Sequence, residues 1–301
     1  MMFRDEAKYL REWVEFHLLI GIEHFYLYDH LSIDHPEVVL ADYIAKGIVE
    51  LHRRTEDVGE NFVYLAVQMY NEGLDLARGE CQWVAMLDSD EFIVPKSTTW
   101  LPTLLKDYER YGGLTVNWQM FGTGRVPEVP CDKTLIQSLK KKGLRNFGEN
   151  FHVKSIVQPE RVIRTVLHFA FYTEGFYAVN VNHKRIDGPY DPDVPVDKIQ
   201  INHYFSRDLK FMNEVKIPRR VGVGTPASLV IAWDDEASVV EDNCILRYVE
   251  PLRARLGYPV KFDWLDYVNR YEDLKKAGID TYEKAFRHWM ELGRFEGRRY
   301  D

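Results

Sequence analysis

The chain has 301 residues, 47 acidic against 39 basic, and a net charge of −8. That balance excludes a general nucleic-acid binder, whose footprint is basic, while leaving room for a small phosphorylated ligand on a local positive patch. Hydrophobic residues at 46% and charged residues at 29% supply a packed core and exclude wholesale disorder. The length fits one large domain with an appendage, or two domains.

In chain order, Leu10, Trp13, Val14, Phe16, Leu18 and Leu19 are spaced for an amphipathic helix over Glu6 to Leu19, ended by Gly21. Ile22 to Asp29 is rich in aromatic and β-branched residues and predicts a strand emptying into a polar turn, His30 to His35. Pro36 opens a second helix to about Lys46, and a strand follows Gly47. Asn61 is placed to cap a long helix to Arg78, which leads into the apolar run Trp83 to Leu87, a predicted buried central strand. This alternation of helix and strand implies an α/β fold with a mostly parallel sheet flanked by helices. Ligands of such sheets bind beyond the carboxyl ends of the strands, where Asp29 and Asp88 fall.

Three acidic residues, Asp88, Asp90 and Glu91, arrive within four positions and are followed by apolar Phe92 to Val94. Carboxylates so close repel one another unless a cation or solvent compensates. Asp88 and Asp90 can share a face at the end of an extended strand, and paired hard oxygens beside a phosphate suit Mg²⁺ or Mn²⁺. The plainer reading is an acidic loop tip closing a strand.

Taken together, the segments FRDEAKYLREWVEFHLLIGIEHFYLYDHLSID and WVAMLDSDEFIVP resemble glycosyltransferases of the GT-A fold, most closely family 92 and its bacterial and viral relatives. The resemblance continues in NWQMFGTGR, FHVKSIVQPERV and INHYFSRD, and covers residues 3 to 220. It implies sugar transfer from a nucleotide-sugar donor, a UDP- or GDP-sugar, to a hydroxyl of a glycan, glycolipid or glycoprotein, with inversion favoured. A divalent metal, Mn²⁺ or Mg²⁺, would neutralise the leaving diphosphate. Asp88, Asp90 and His203 are the metal candidates; Glu6, Asp29, Asp34, Asp88 and Lys154 are the donor-binding candidates. Asp29 and Asp34 also fit simple turn chemistry, and His203 a histidine satisfied in the core. Lys216, Arg219 and Arg220 are further diphosphate candidates, or a solvated surface.

An inverting enzyme needs a base at the acceptor hydroxyl. Asp187 and Asp191, in DGPYDPD, and Glu174 lie in the expected region, although Gly, Pro and Asp are ordinary loop residues. Trp118 and Phe121 could stack on an acceptor sugar or belong to the core. In relatives an apolar strand precedes the FRDE stretch, and most of it is missing ahead of Met1 and Met2. That departure keeps open a second reading, a degenerate transferase serving as a glycan-binding or assembly module. A dehalogenase-type phosphatase is disfavoured by Phe92, where its signature wants Thr or Val.

The first 222 residues are therefore expected to form the transferase domain, 223–260 a linker and helix, and 261–301 a small helical module. Trp264, Tyr267, Leu274, Phe286 and Trp289 would form the module's core, and so small a unit must dock on the main domain or a protein partner. Cys81, Cys131 and Cys244 match neither a metal spacing nor a disulfide framework, which favours a reducing compartment. No stretch approaches the ~20 apolar residues of a membrane helix, and a cytoplasmic protein is expected.

Overall fold

The computed structural model describes residues 1–56 and 62–300; Asn61, the expected helix cap, lies outside them. A short strand, β1 (Met2–Phe3), comes first, and the elements after it alternate as the periodicity predicts: α1 (Ala7–Leu19), β2 (Phe25–His30), α2 (Pro36–Ala45), β3 (Val49–Arg54) and α3 (Phe62–Ala77). α1 buries Leu10, Trp13, Val14 and Phe16 in the main core, the stripe its helical spacing dictates. The chain leaves that helix at Gly21, whose φ of 102° and contact with Trp100 and Pro102 exclude a side chain. β1, β2 and β3 pair in that order, all parallel.

A second, seven-stranded sheet holds the rest. Its strands come after α3 in chain order, beginning with β4 (Val84–Ala85), β5 (Glu91–Pro95), α4 (Leu101–Leu105) and β6 (Gly113–Met120). α5 (Leu135–Ser138), β7 (Lys141–Lys142), which pairs outside this sheet, and β8 (Val153–Val157) follow, then a separate hairpin of β9 (Val162–Thr165) and β10 (Ala170–Tyr172). β11 (Ala178–Val179), β12 (Arg185–Ile186) and β13 (Ile199–His203) complete the set. Wholly buried β6 is the hub, parallel to β11 and β13 and antiparallel to β8. β5 closes one edge against β13, antiparallel. The α/β class holds, and this second sheet is mixed in direction.

One expectation is corrected here. Trp83 to Leu87 is not the central strand: only Val84 and Ala85 pair, with β8, and both are half-buried. The run has a strand partner on one side only. Its other side faces a cavity of about 670 Å³ shared with β2 and α3. The fully buried strand is the one after the acidic turn, β5.

The expected linker is also built into the body. After β13 come α6 (Leu209–Phe211), a π-helical turn (Met212–Lys216), α7 (Ile217–Gly222), α8 (Ala227–Glu236), β14 (Val240–Glu241) and α9 (Val249–Leu256). Val230, Ile245, Tyr248, Leu252 and Leu256 join the main core. Buried Asp234 on α8 accepts hydrogen bonds from the Thr123 backbone N–H (2.7 Å) and hydroxyl (2.8 Å), tying α8 to the loop after β6. The remaining helices, α10 (Trp264–Arg270), α11 (Glu272–Lys276) and α12 (Tyr282–His288), close over their own cluster of Tyr267, Val268, Leu274, Ala285 and Trp289. This module docks on the body: the Tyr282 hydroxyl donates to Asp132 (3.0 Å) and Arg294 to the Leu256 carbonyl (2.9 Å).

Candidate active site

Register between strands assembles the site. β13 pairs with β5 so that His203 lies opposite Glu91, next to Asp90. β6 aligns Trp118 with Ile201, and β8 aligns Lys154 with Val116, so Trp118, Lys154, His203 and Glu91 share one face. Asp88, Ser89 and Asp90 form the turn between β4 and β5, with the Glu91 N–H donating to the Asp88 carbonyl (3.2 Å). The two aspartates thus project from a turn and not from a straight strand end.

Each aspartate meets its own cation. The buried Lys154 ammonium lies 2.8 Å from Asp88 and 3.5 Å from Glu91. Burial opposes that charge, but the two carboxylates overcome it and hold Lys154 above the ordinary lysine value. Burial likewise works against Asp88, and Lys154 outweighs it, so Asp88 stays acidic. The Tyr70 hydroxyl donates to the other Asp88 oxygen (2.6 Å). Glu91 goes the opposite way: burial, with Asp88 and Asp90 adjacent, pushes it well above the usual carboxylate range despite Lys154. Its Oε2 accepts the Asp88 N–H (2.9 Å) and its Oε1 is buried without a partner.

Asp90 sits 3.4 Å from His203 Nε2 and 3.1 Å from Lys216 Nζ. Burial resists its ionisation, but Lys216 and His203 overcome that and hold it well below the usual range. Burial lowers both His203 and Lys216, against the pull of Asp90. Further along, buried Glu6 is paired with Arg207, and Arg219 reaches it at 3.5 Å. Arg207 is fully buried with a left-handed backbone (φ 51°), its guanidinium 3.7 Å over the Tyr9 ring, and its Nε and Nη1 have no hydrogen-bond partner among the described residues. Its burial penalty is outweighed by Glu6. The result is a cleft of alternating carboxylates and cations beside Trp118, with Lys154, Lys216 and Arg207 each paired to a carboxylate.

Among the described residues no three metal-binding side chains converge on one point. Asp90 and His203 do converge as a pair. A carboxylate and an imidazole with open positions left for phosphate oxygens fit Mn²⁺ or Mg²⁺, which take few protein ligands beside a phosphorylated substrate. His203 lies on the Oδ1 of Asp90 and Lys216 on its Oδ2, so the lysine leaves the histidine-facing oxygen to such an ion.

The sequence profile of glycosyltransferase family 92 matches residues 1–225. The chain belongs to glycosyltransferase family 92. A family 92 protein of Ricinus communis is 28% identical over 79% of this chain and 39% of its own length, and one of Oryza sativa 27% over 79% and 37%. A galactan β-1,4-galactosyltransferase of Arabidopsis thaliana is 24% identical over 55% of this chain and 34% of its own length. The chain therefore spans about two fifths of the length of the curated family 92 relatives it matches. Among solved structures, Staphylococcus aureus TarS 1-349 is similar at 12% identity and a TM-score of 0.37, covering all of this chain and 91% of that one.

The other expected residues of this family 92 chain fall into place unevenly. Asp29 is buried at the end of β2, accepting the Ser32 N–H (3.1 Å) and lying 3.7 Å from Arg53. Asp34 is exposed and caps α1, accepting the Ala7 N–H (2.7 Å), which is the turn-and-cap chemistry its type favours. Phe121 is corrected as an acceptor platform: it is fully buried, with its ring against Tyr204 at 4.9 Å. Trp118, 8% exposed, keeps an edge to the cleft. Asp187 is on the surface paired with Arg185 (2.7 Å), just past the far edge strand of the sheet. Asp191 is fully buried, accepting from Asn180 (2.7 Å) and the Asp193 N–H (3.2 Å), a loop-fastening role. Neither carboxylate is presented to the cleft as a base must be. Arg220 packs over Phe205 and is not on the carboxylates. Arg207, Tyr70 and Glu149–His152 (below) were missed, although His152 and Arg207 stand inside the stretches FHVKSIVQ and INHYFSRD that carry the resemblance.

Proposed function

We propose that this chain transfers a sugar from a nucleotide-sugar donor to an acceptor hydroxyl, with a divalent ion held by Asp90 and His203. One observation supports the reading: the turn at Asp88–Asp90 brings two ionised carboxylates beside His203, with Lys154 on Asp88, Lys216 on Asp90, and Arg207 and Arg219 on Glu6. A bound Mn²⁺ or Mg²⁺ would supply Lewis-acid neutralisation of the leaving diphosphate. With such an ion bound, Lys216 would be available to the diphosphate oxygens, and the charge of Arg207, felt at Asp90, would add to it. Lys154 holds Asp88 ionised and oriented toward the donor ribose or the ion. Asp29 closes the nucleoside end. Trp118 floors the space for the transferred sugar.

UDP and GDP are the nucleotides to try. The similarity to a galactan β-1,4-galactosyltransferase makes UDP-galactose and a β-1,4-galacto-oligosaccharide the first donor and acceptor probes. The three cysteines are unpaired thiols, which supports a cytoplasmic setting, and no helix among the described residues is long and apolar enough to cross a membrane. Calorimetric titration of UDP and GDP, with and without Mn²⁺, on wild type and Asp90→Asn tests the reading. Mn²⁺-dependent binding lost in the variant is expected. Folded wild-type protein that binds neither nucleotide would refute it and favour the glycan-binding module.

A further inference from the structure

The site described so far lacks a base for the acceptor hydroxyl. Asp187 is exposed just past an edge strand, Glu174 is exposed in the turn after β10, Asp191 is sealed in its loop, and Glu91 is buried beneath Asp88. Two imidazoles remain. The His152 ring stacks on Trp118 (4.8 Å, 28°), and the His168 ring meets the same indole edge-on (5.1 Å). His203 touches that indole too, at 4.4 Å. One side chain therefore spans from the metal candidate to both imidazoles.

The two differ in what stands behind them. His152 Nδ1 is 3.1 Å from the Glu149 carbonyl and 3.6 Å from the Glu149 carboxylate. A carbonyl can only accept, so Nδ1 carries the proton and Nε2 presents a bare lone pair. The ring is 21% exposed at its side chain and borders Tyr190, 56% exposed, whose ring lies 4.7 Å away. His168 Nδ1 is likewise fixed, by the Val153 carbonyl (3.1 Å), but it has no carboxylate behind it. Burial, with Lys154 adding to it, lowers His168 to about 4, a neutral hydrogen-bond acceptor of little basicity.

We propose that His152, oriented by Glu149 and stacked on Trp118, is the general base that takes the proton of the acceptor hydroxyl, with Tyr190 and His168 lining the acceptor sugar. The inference rests on the transfer reading above and deepens it. The hydroxyl proton passes to His152 Nε2 while the oxygen bonds to the anomeric carbon of the nucleotide sugar. The bond from that carbon to the diphosphate oxygen breaks, its electron pair leaving with the nucleoside diphosphate, and the carbon inverts. The imidazolium, stabilised by Glu149, then gives its proton to water. A carboxylate behind an imidazole is how a base is both aimed and made strong enough for this step. The charged and titratable groups facing His152 are Glu149 on its own turn, His168 on the β9–β10 hairpin, Tyr190 on the loop before β13, and, across the indole, Lys154 and His203.

The test uses the full chain and the variants His152→Gln, His152→Ala and Glu149→Gln, with UDP-galactose and β-1,4-galactotetraose as probes. His152→Gln should lower kcat roughly 10²- to 10⁴-fold while Mn²⁺-dependent UDP binding stays within about twofold of wild type. Added imidazole should restore part of the His152→Ala rate. Glu149→Gln should lower kcat while Mn²⁺-dependent UDP binding is kept, because the carboxylate that orients the ring is gone. Undiminished transfer by His152→Gln overturns the proposal, as does loss of UDP binding in that variant, which would assign His152 to the donor side. A donor-independent readout stands beside these. The ¹H–¹⁵N spectrum of wild-type His152 should show the proton on Nδ1, and a proton on Nε2 overturns the proposal whatever the donor. Absence of nucleotide binding in wild type, by contrast, refutes the transfer reading itself.

Discussion

Replacing Lys154 with Met tests the electrostatic construction of the site. The ammonium is buried between Asp88, 2.8 Å away, and Glu91, 3.5 Å away. Asp88 is 44% exposed at its side chain, so water screens much of that pair, whereas Glu91 is wholly buried and depends on Lys154. Removing one partner of a buried pair costs about 3–5 kcal/mol. Glu91 can limit the loss by taking a proton, since burial and its neighbours already push it well up. The lower end, about 3 kcal/mol, is therefore expected at neutral pH, or roughly 6 °C in Tm for a chain of this size. A carboxyl group whose folded pKa stands above its unfolded value contributes stability that is complete below the unfolded pKa and is lost as pH rises through the folded one. Without Lys154 the Glu91 value climbs further, so the variant loses stability with rising pH more steeply than wild type. Urea unfolding of both proteins in EDTA at pH 5 and pH 8 should show a deficit that is smaller at pH 5. A deficit under about 1 kcal/mol, or one that does not change with pH, would refute the reasoning.

Asp34→Ala should cost about 0.5–2 kcal/mol, the value of a lost helix cap, and leave nucleotide affinity unchanged in calorimetry; a large loss of affinity would restore Asp34 to the donor site. Phe121→Ala should lower stability by about 3–5 kcal/mol in denaturant titration without altering binding of a galacto-oligosaccharide, because the ring is core. Phe286→Ala empties the contact between the C-terminal module and Phe262 and Tyr258. Limited proteolysis should then cut within 261–300 while the body survives, and uniform resistance would show that the module is held by its other contacts.

The legible part of this chain is the part where one physical signal dominates. α1, β2, α2 and β3 follow from apolar patterns longer than a turn of helix or a few strand residues, and Gly21, Pro36 and Gly47 mark boundaries between them. The second sheet defeats that logic. In it β4, β11 and β12 have two residues each, as do β7 and β14, which pair with each other outside it; such strands are too short for alternation to register. The run Trp83 to Leu87 misled because apolar character shows burial but not which strands supply it; here one face meets β8 and the other a cavity. Likewise the apolar and acidic residues of GTPASLVIAWDDEAS resemble a linker until Asp234 is seen buried on Thr123.

The site divides along the same line. Asp88, Asp90 and Glu91 are visible because they are consecutive, and their unequal ionisation is not visible because Lys154 and Lys216 arrive from β8 and from the turn before α7. His203 is found by its place after an apolar strand, and its register opposite Glu91 gives that place a reason. The acceptor half has no such local mark. Glu149 and His152 are three apart on an irregular turn, an ordinary pair until β6 and β8 bring the indole of Trp118 under the imidazole and His203 to its other side. Aspartates in DGPYDPD advertise themselves by type, yet Asp191 spends both oxygens on its own loop. A base is defined by an unspent lone pair facing an open cleft, and among these candidates only an imidazole with its other nitrogen already anchored meets that condition.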